Sequence, residues 1–118
     1  MSRDRAPSYQ WYPRDFMADP AVQAMTWEQR ARYQWGMDCS FMADSAGVGS
    51  EEEWRVWMQY TPAQWKKNRE ALGRAFDTTS EPGRWIQKRM FKDRAEQNAR
   101  FRRASEAGSV AAAKRWDA

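Results

Sequence analysis

The sequence predicts a mainly α-helical fold with a small β-hairpin, a winged helix-turn-helix that continues into a long polar C-terminal helix. The main observation is the run from Thr61 to Met90, which has the pattern of a capped basic helix, a tight turn and a short strand. A helix followed at once by a small hairpin is the second half of a winged helix-turn-helix, a common nucleic-acid-reading unit. Two shorter predicted helices precede this run, as that fold requires.

The core of this chain must consist mainly of aromatic and methionine side chains. Its 118 residues suit one domain, but they include one Leu, one Ile and four Val against eight Trp, five Phe, four Tyr and seven Met. Aromatic side chains bury roughly 150–250 Å² each, and most of the tryptophans occur at helix or strand spacings. We therefore expect a winged-helix-like domain over residues 11–90, with a disordered N-terminal arm over residues 1–10 and a basic helical extension over residues 91–118.

The composition excludes several classes of function. Histidine is absent and Cys39 is the only cysteine, which excludes an intramolecular disulfide, Cys/His zinc sites and histidine-dependent triads. We expect Cys39 to be a small buried hydrophobic residue. The polar start and the lack of an apolar run of ~20 residues predict a cytoplasmic protein of a bacterial host, with no membrane association.

Catalysis would have to use carboxylates. In principle these could hold Mg²⁺, but their spacing repeats no known ligand pattern, and no glycine-rich phosphate loop is present. We therefore expect a protein that is not an enzyme and has no metal or cofactor. The carboxylates in question are Asp15, Asp19, Asp38 and Asp44.

The first predicted elements are short. The segment from Trp11 to Met17 predicts an extended strand, which Pro13 confines to an edge or a loop. Asp19-Pro20 predicts a helical turn that runs to Met25, because proline is tolerated at the first helical position.

A longer helix is predicted after Thr26, which can form a capping box with Gln29. Its apolar residues recur every three to four positions, so we expect them to form one broad face toward the core. Asp38 lies within that face, where we expect it to bond to a partner side chain across the core. The predicted core face consists of Trp27, Ala31, Trp35, Phe41 and Met42.

Two further helices follow the break at residues 47–49. Ser50 and the three glutamates after it predict a helix start, since acidic side chains are favoured at that end of the helix dipole. Thr61-Pro62 predicts the next start, and the helix is expected over residues 61–76. The first of these helices is predicted to have a short apolar face, and four residues share one face of the second; they are Trp54, Trp57 and Met58, then Trp65, Arg69, Leu72 and Phe76.

The wing is predicted over residues 77–90. The tetrapeptide Glu81–Arg84 fits a type II turn, with Pro82 at its second position and Gly83 at its third. Alternation from Trp85 to Met90 then predicts a half-buried strand.

Positive charge is concentrated from the wing onward. Residues 1–83 hold 10 Lys and Arg against 12 Asp and Glu, whereas residues 84–118 hold 10 against 4. Residues 91–106 predict a polar, weakly amphipathic helix, which Gly108 interrupts before one or two further turns over residues 111–116. Such a basic segment indicates an anionic partner, and duplex DNA is the partner we expect.

Within this fold the helix over residues 61–76 would read the major groove, and the wing would contact phosphate or the minor groove. Lys67 and Arg74 are seven residues apart and project from the same side. An ordinary solvated helix face would have similar residues, and Trp116 in the polar tail could instead stack on single-stranded bases. The predicted DNA-binding residues are Gln64, Lys66, Lys67, Asn68, Arg74, Thr79, Arg84, Lys88, Arg94, Arg100, Arg102 and Arg103.

Three segments resemble the YdaU-like family of prophage-encoded proteins of unknown function. These are Trp11–Phe16 with Asp19 after it, the helix start from Thr26 to Tyr33, and the Ala/Gly-rich tail over residues 106–116 that ends in Arg-Trp. The resemblance implies a phage replication-module protein, related by fold to winged-helix domains of initiators and helicase-loading factors. It implies a role in replication initiation or its regulation and provides no catalytic residues.

The alternative function is a non-catalytic protein-interaction adaptor. In that case the long C-terminal helix would dock on a helicase loader or another replisome component, or on a second copy of the chain to form a homo-oligomer. Its cations would then meet an acidic protein surface rather than phosphate.

Overall fold

The computed structural model describes residues 8–9 and 11–117, except for the side chains of residue 101 and residues 109–117. Most of the predicted N-terminal arm lies outside the described residues, but Tyr9 packs on Phe41 with ring centroids 5.2 Å apart. The mainly helical prediction with a small β component is confirmed. In order, the elements of the described part are α1 (Pro13–Ala18), α2 (Pro20–Gln23), α3 (Trp27–Met42), β1 (Val48–Gly49), α4 (Glu51–Trp57), α5 (Pro62–Gly73), β2 (Trp85–Ile86) and α6 (Lys88–Asp117).

Helices α3, α4 and α5 each begin with a capping box. In α3, for example, the Gln29 backbone N–H donates to the Thr26 hydroxyl at 3.1 Å, while the Thr26 N–H donates to the Gln29 side chain at 2.9 Å. The same reciprocal pairs start α4 at Ser50 and α5 at Thr61. Each box satisfies donors that a helix start otherwise leaves without partners. The three predicted starts are confirmed.

The predicted strand over residues 11–17 is wrong, because this segment forms helix α1. Pro13 occupies the first helical position, where its missing N–H costs nothing and its fixed φ suits the helix. The next predicted turn is confirmed as α2, and the Asp19 side chain caps it by accepting from the Ala21 N–H.

The predicted core face of α3 is also wrong, except at Phe41, which is half-buried and packs against the core cluster. Trp27, Trp35 and Met42 are 81%, 54% and 76% exposed, and the opposite face enters the core. Gly36 explains the choice: a Cβ there would lie 2.6 Å from Met58 Cγ, so only glycine lets α4 approach this closely. The buried positions of α3 are Gln29, Tyr33, Gly36, Met37 and Ser40.

Asp38 therefore lies on the outside of α3 and not in the core. Its carboxylate accepts a hydrogen bond from the Tyr9 hydroxyl, a partner 29 positions away in the sequence. The expected bond exists, but it holds the N-terminal segment against the outer side of α3.

The sheet joins two distant parts of the chain. Strands β1 and β2 pair antiparallel, with Val48 opposite Ile86 and Gly49 opposite Trp85. The predicted hairpin is reduced to one bridge, in which Asp77 and Ile86 exchange two backbone hydrogen bonds of 2.9 Å. The segment predicted as the wing is thus a loop closed at its base by this bridge and joined to β1 by the pairing of β2.

The type II turn predicted at residues 81–84 is confirmed. Gly83 has a φ of +76°, which glycine adopts without strain, and the Arg84 N–H donates to the Glu81 carbonyl at 3.1 Å. The strand predicted as far as Met90 is wrong beyond Ile86. The Gln87 side chain accepts from the Met90 N–H at 2.8 Å, and this local cap starts α6 at Lys88.

Helix α6 continues through Gly108, so the predicted interruption is wrong. A single glycine costs a helix about 1 kcal/mol, which a 30-residue helix tolerates. The predicted boundary at residue 91 consequently falls inside this helix. No helix in the described part of the chain is both long and apolar enough to span a membrane.

Aromatic and methionine side chains form the core, as the composition predicts. Trp54 of α4 and Met58, which directly follows that helix, are fully buried, and Leu72 of α5 is buried against the same cluster. The Trp54 indole N–H donates to the Trp85 carbonyl at 2.9 Å, which ties α4 to the sheet. Cys39 is only half-buried, and its thiol lies 3.8 Å from the Trp57 carbonyl.

Candidate nucleic-acid interface

Helix α5 presents two lysines to solvent. Trp65 and Leu72 are buried and fix the opposite side of the helix against the core. Lys66 and Lys67 are exposed, and neither forms an ion pair with any described residue. Their ammonium groups are therefore available to an anionic partner.

The other cation predicted on this face is held within the chain. Arg74 caps the C-terminal end of α5 and pairs with Glu70 at 3.1 Å, one helical turn earlier. Both side chains are exposed, so solvent screens the pair and its contribution is small. Arg74 can exchange Glu70 for another anion at little cost.

The two amides predicted to read bases instead stabilise the fold. Gln64 completes the capping box of α5, and its carbonyl accepts from the Thr61 N–H at 2.9 Å. Asn68 is half-buried, accepting from Gln29 at 2.8 Å and donating to the Gln64 carbonyl. Asn68 thereby joins α5 to α3, and base reading at this position would require breaking that link.

Asp77 organises the loop predicted as the wing. Its carboxylate accepts from the backbone N–H groups of Thr79 and Ser80 and from both hydroxyls. Hydrogen bonds from Ser80 and Thr79 lower the pKa of Asp77 to about 2, so this carboxylate is ionised at neutral pH. The Thr79 hydroxyl is consequently directed toward Asp77. At the tip of the loop, Arg84 Nε lies 3.9 Å from Glu81 Oε2.

The cations of α6 divide into two groups. Arg94 is 16% exposed and pairs with Asp44, so it fastens α6 to the end of α3. Lys88 is exposed at the first turn, and no described residue forms an ion pair with it. The outer arginines are likewise exposed without such a pair among the described residues; they are Arg100, Arg102 and Arg103.

A cleft of about 290 Å³ opens between α1, the end of α5 and the start of α6. It brings together two predicted DNA-binding residues, Arg74 and Lys88. The remaining predicted residues do not line it. Its walls also contain Trp11, Tyr12 and Arg89, which sequence reasoning did not select.

The missed residues form the rim of this cleft. The Arg89 guanidinium lies 4.2 Å from the centre of the Tyr12 ring and pairs with Asp15. Trp11 packs on Phe16 with ring centroids 4.9 Å apart. A helical interpretation of this segment would have placed Tyr12 and Phe16, four residues apart, on one face.

The four aspartates considered as metal ligands have separate roles. Asp15 and Asp44 pair with Arg89 and Arg94, Asp19 caps α2, and Asp38 accepts from Tyr9. Within the described residues, no three Cys, Asp or Glu side chains come close enough together to hold a metal ion.

Comparisons of the chain with protein-family models, with curated proteins and with solved structures found no match.

Proposed function

We propose that this chain is a phage or prophage-encoded DNA-binding protein of the winged-helix type, acting in replication initiation or its regulation. Helix α5 would be the reader helix and the loop over residues 77–87 the wing. Lys66 and Lys67 are the observation that carries the proposal, because they are exposed cations on the helix that precedes a wing.

The order and pairing of the elements support this proposal. Helices α4 and α5 form a consecutive pair joined by residues 58–61, and the wing loop follows α5 directly. The closing residues of the wing pair with β1, which precedes α4. This pairing holds the base of the wing in the same body as the two-helix unit.

The charges support phosphate contact more than base reading. Gln64 and Asn68 are engaged in the fold, whereas Lys66, Lys67 and Lys88 have no ion-pair partner among the described residues. Lysine binds phosphate as a point charge and carries little sequence information by itself. We therefore expect a strong salt dependence and modest sequence preference for duplex DNA.

The test is duplex binding by fluorescence anisotropy over a series of salt concentrations. Each phosphate contact contributes about 0.9 to the slope of log affinity against log salt. Replacing Lys66 and Lys67 together with alanine should weaken binding and reduce the slope by about 2. The charge-preserving pair Lys66→Arg and Lys67→Arg should retain both the affinity and the slope.

Arg14→Ala is a second control, because it removes one positive charge from an exposed position on α1. It should change the slope less than Lys67→Ala does. If the double alanine variant binds duplex DNA with unchanged affinity and slope, α5 is not the reader helix.

The second candidate function is the protein-interaction adaptor. The exposed α3 face, formed by Trp27, Ala31, Trp35 and Met42, favours it because large exposed apolar side chains mark interaction sites. A Trp35→Glu variant should then lose its complex with a purified helicase loader while duplex affinity is unchanged. Binding of the loader by this variant would count against the adaptor.

A further inference from the structure

The cleft beside α1 has the dimensions and walls of a small-molecule site. Its volume of about 290 Å³ is near the lower end for pockets that enclose small ligands, which begin at about 300 Å³. Tyr12 Oη donates to Asp93 of α6 at 3.0 Å, and Asp15 pairs with Arg89. These links fix α1 against α6 and define the shape of the cleft.

A series of aromatic contacts runs from the core to the mouth of the cleft. Phe76 meets Tyr33 at 5.4 Å between ring centroids, and Tyr33 stacks on Phe16 at 6.0 Å. Phe16 meets Trp11, which is 36% exposed. Trp11 therefore offers a ring that is supported from behind and open to solvent, the arrangement on which a planar ligand stacks.

The inner wall adds hydrogen-bonding groups. The Gln87 amide donates to the buried Tyr33 hydroxyl at 3.1 Å, and the Tyr33 O–H itself has no acceptor among the described residues. Gln87 is itself held by the Met90 N–H. A ligand that reaches this wall meets a fixed donor beside an aromatic surface.

The charges of the cleft nearly cancel. Three cations line it, Arg74, Lys88 and Arg89, and three carboxylates lie beside them, Asp15, Asp19 and Asp77. A free multivalent anion is disfavoured by those carboxylates. A neutral heteroaromatic ring fits better, and Lys88 at the first turn of α6 can meet one phosphate attached to it.

We propose that this cleft binds a single unstacked base of single-stranded DNA, stacked on Trp11, with an adjoining phosphate at Lys88. This inference rests on the proposed function and names a second DNA form for the same protein. Arg74 lies at the end of the proposed reader helix and also lines the cleft. The duplex-binding surface on α5 and the proposed single-strand site are therefore next to each other.

The probe is a fluorescein-labelled oligothymidylate, compared with an abasic oligonucleotide of the same length that has phosphates but no bases. Base stacking on an aromatic side chain contributes ~1–3 kcal/mol per base, or about 5- to 150-fold in affinity. We expect Trp11→Ala to weaken oligothymidylate binding by about ten-fold and Trp11→Phe to weaken it less. The abasic strand should bind the wild type no better than oligothymidylate binds Trp11→Ala.

Trp27→Ala is the matched control, since it removes an exposed tryptophan outside the cleft and should leave oligothymidylate affinity unchanged. Duplex affinity is measured on every variant. If Trp11→Ala binds oligothymidylate like the wild type, or if the abasic strand binds equally well, the base pocket is excluded while the duplex proposal stands. If the wild type binds neither duplex nor single strand, both proposals fail.

Discussion

Replacing Gly36 with alanine tests the packing that selects the buried face of α3. The added Cβ would lie 2.6 Å from Met58 Cγ and 3.4 Å from Trp54 Cε3. Met58 and Trp54 are both fully buried, and Cγ is only the second carbon of the methionine side chain. Met58 therefore cannot relieve the contact by moving its far end, and α3 and α4 must separate.

Two effects oppose each other in this variant. Alanine gains about 1 kcal/mol over glycine in a helix, whereas forcing an extra carbon into a packed core costs about 1–3 kcal/mol. The fully buried contact places the cost in the upper part of that range, so we expect a net loss of about 1–2 kcal/mol. For a domain of this size that loss lowers Tm by roughly 4–8 °C.

Thermal and urea unfolding followed by tryptophan fluorescence measure the loss. Met58→Ala alone should cost ~2–5 kcal/mol, and the double variant should cost less than the sum of the two single variants, because alanine at residue 58 makes room for the new Cβ. Gly108→Ala is the control: apart from its own helix backbone and its two neighbours in the chain, nothing in the described structure lies within 4 Å of its added Cβ, so it should raise helix content without lowering Tm. A Tm for Gly36→Ala equal to or above that of the wild type would refute the close-contact explanation.

Three further outcomes are expected. Asp77→Asn should destabilise the protein at pH 7, and the difference from the wild type should disappear as pH falls from 3.8 toward 2. The reason is that a carboxylate with a lowered folded-state pKa stabilises the fold above its unfolded pKa, and this stabilisation is lost as pH falls through the folded value. A difference in urea unfolding that persists at pH 2 would contradict this explanation. Trp54→Phe should cost at least about 1 kcal/mol in urea unfolding, since it deletes a buried hydrogen bond, while Trp27→Phe on the surface should stay within about 0.5 kcal/mol. Arg94→Ala should lower Tm and leave the salt slope of duplex binding unchanged, whereas Arg102→Ala should leave Tm unchanged and reduce the slope. Equal effects of the two variants on both Tm and slope would contradict the division of the α6 cations into two groups.

Local signals in the sequence predicted the helix starts but not the buried faces. Thr26, Ser50 and Thr61 each act within four residues, so the chain alone determines where their helices begin. The face of α3 depends on how closely α4 can approach, which the size of Gly36 decides. A prediction from hydrophobic periodicity places the tryptophans of α3 in the core and gives Gly36 no weight, so it assigns the wrong face of α3 to the core.

The candidate site likewise has one part that the sequence predicts and one part that depends on tertiary packing. The exposed lysines of α5 follow from helical spacing, because charged residues opposite a buried stripe are solvent-facing. The cleft cannot be predicted in this way, since it brings Trp11 and Arg89 together only because the start of α1 packs against the first turns of α6. Proline is compatible both with a strand edge, which the sequence predicts here, and with the first turn of a helix, where Pro13 lies in the structure. That choice hid Tyr12 and Phe16 as neighbours on one face.

The attachment of α6 determines how its outer part can be stable. A helix that has to nucleate by itself in water is at a disadvantage, because forming the first turn fixes several dihedrals for one hydrogen bond. Here Met90 and Asp93 are buried against the body, so that first turn is already formed. Each residue beyond it adds one hydrogen bond at the cost of ordering one residue. The body therefore acts as the nucleus of this helix, and amide exchange should become faster from the packed turns toward Asp117.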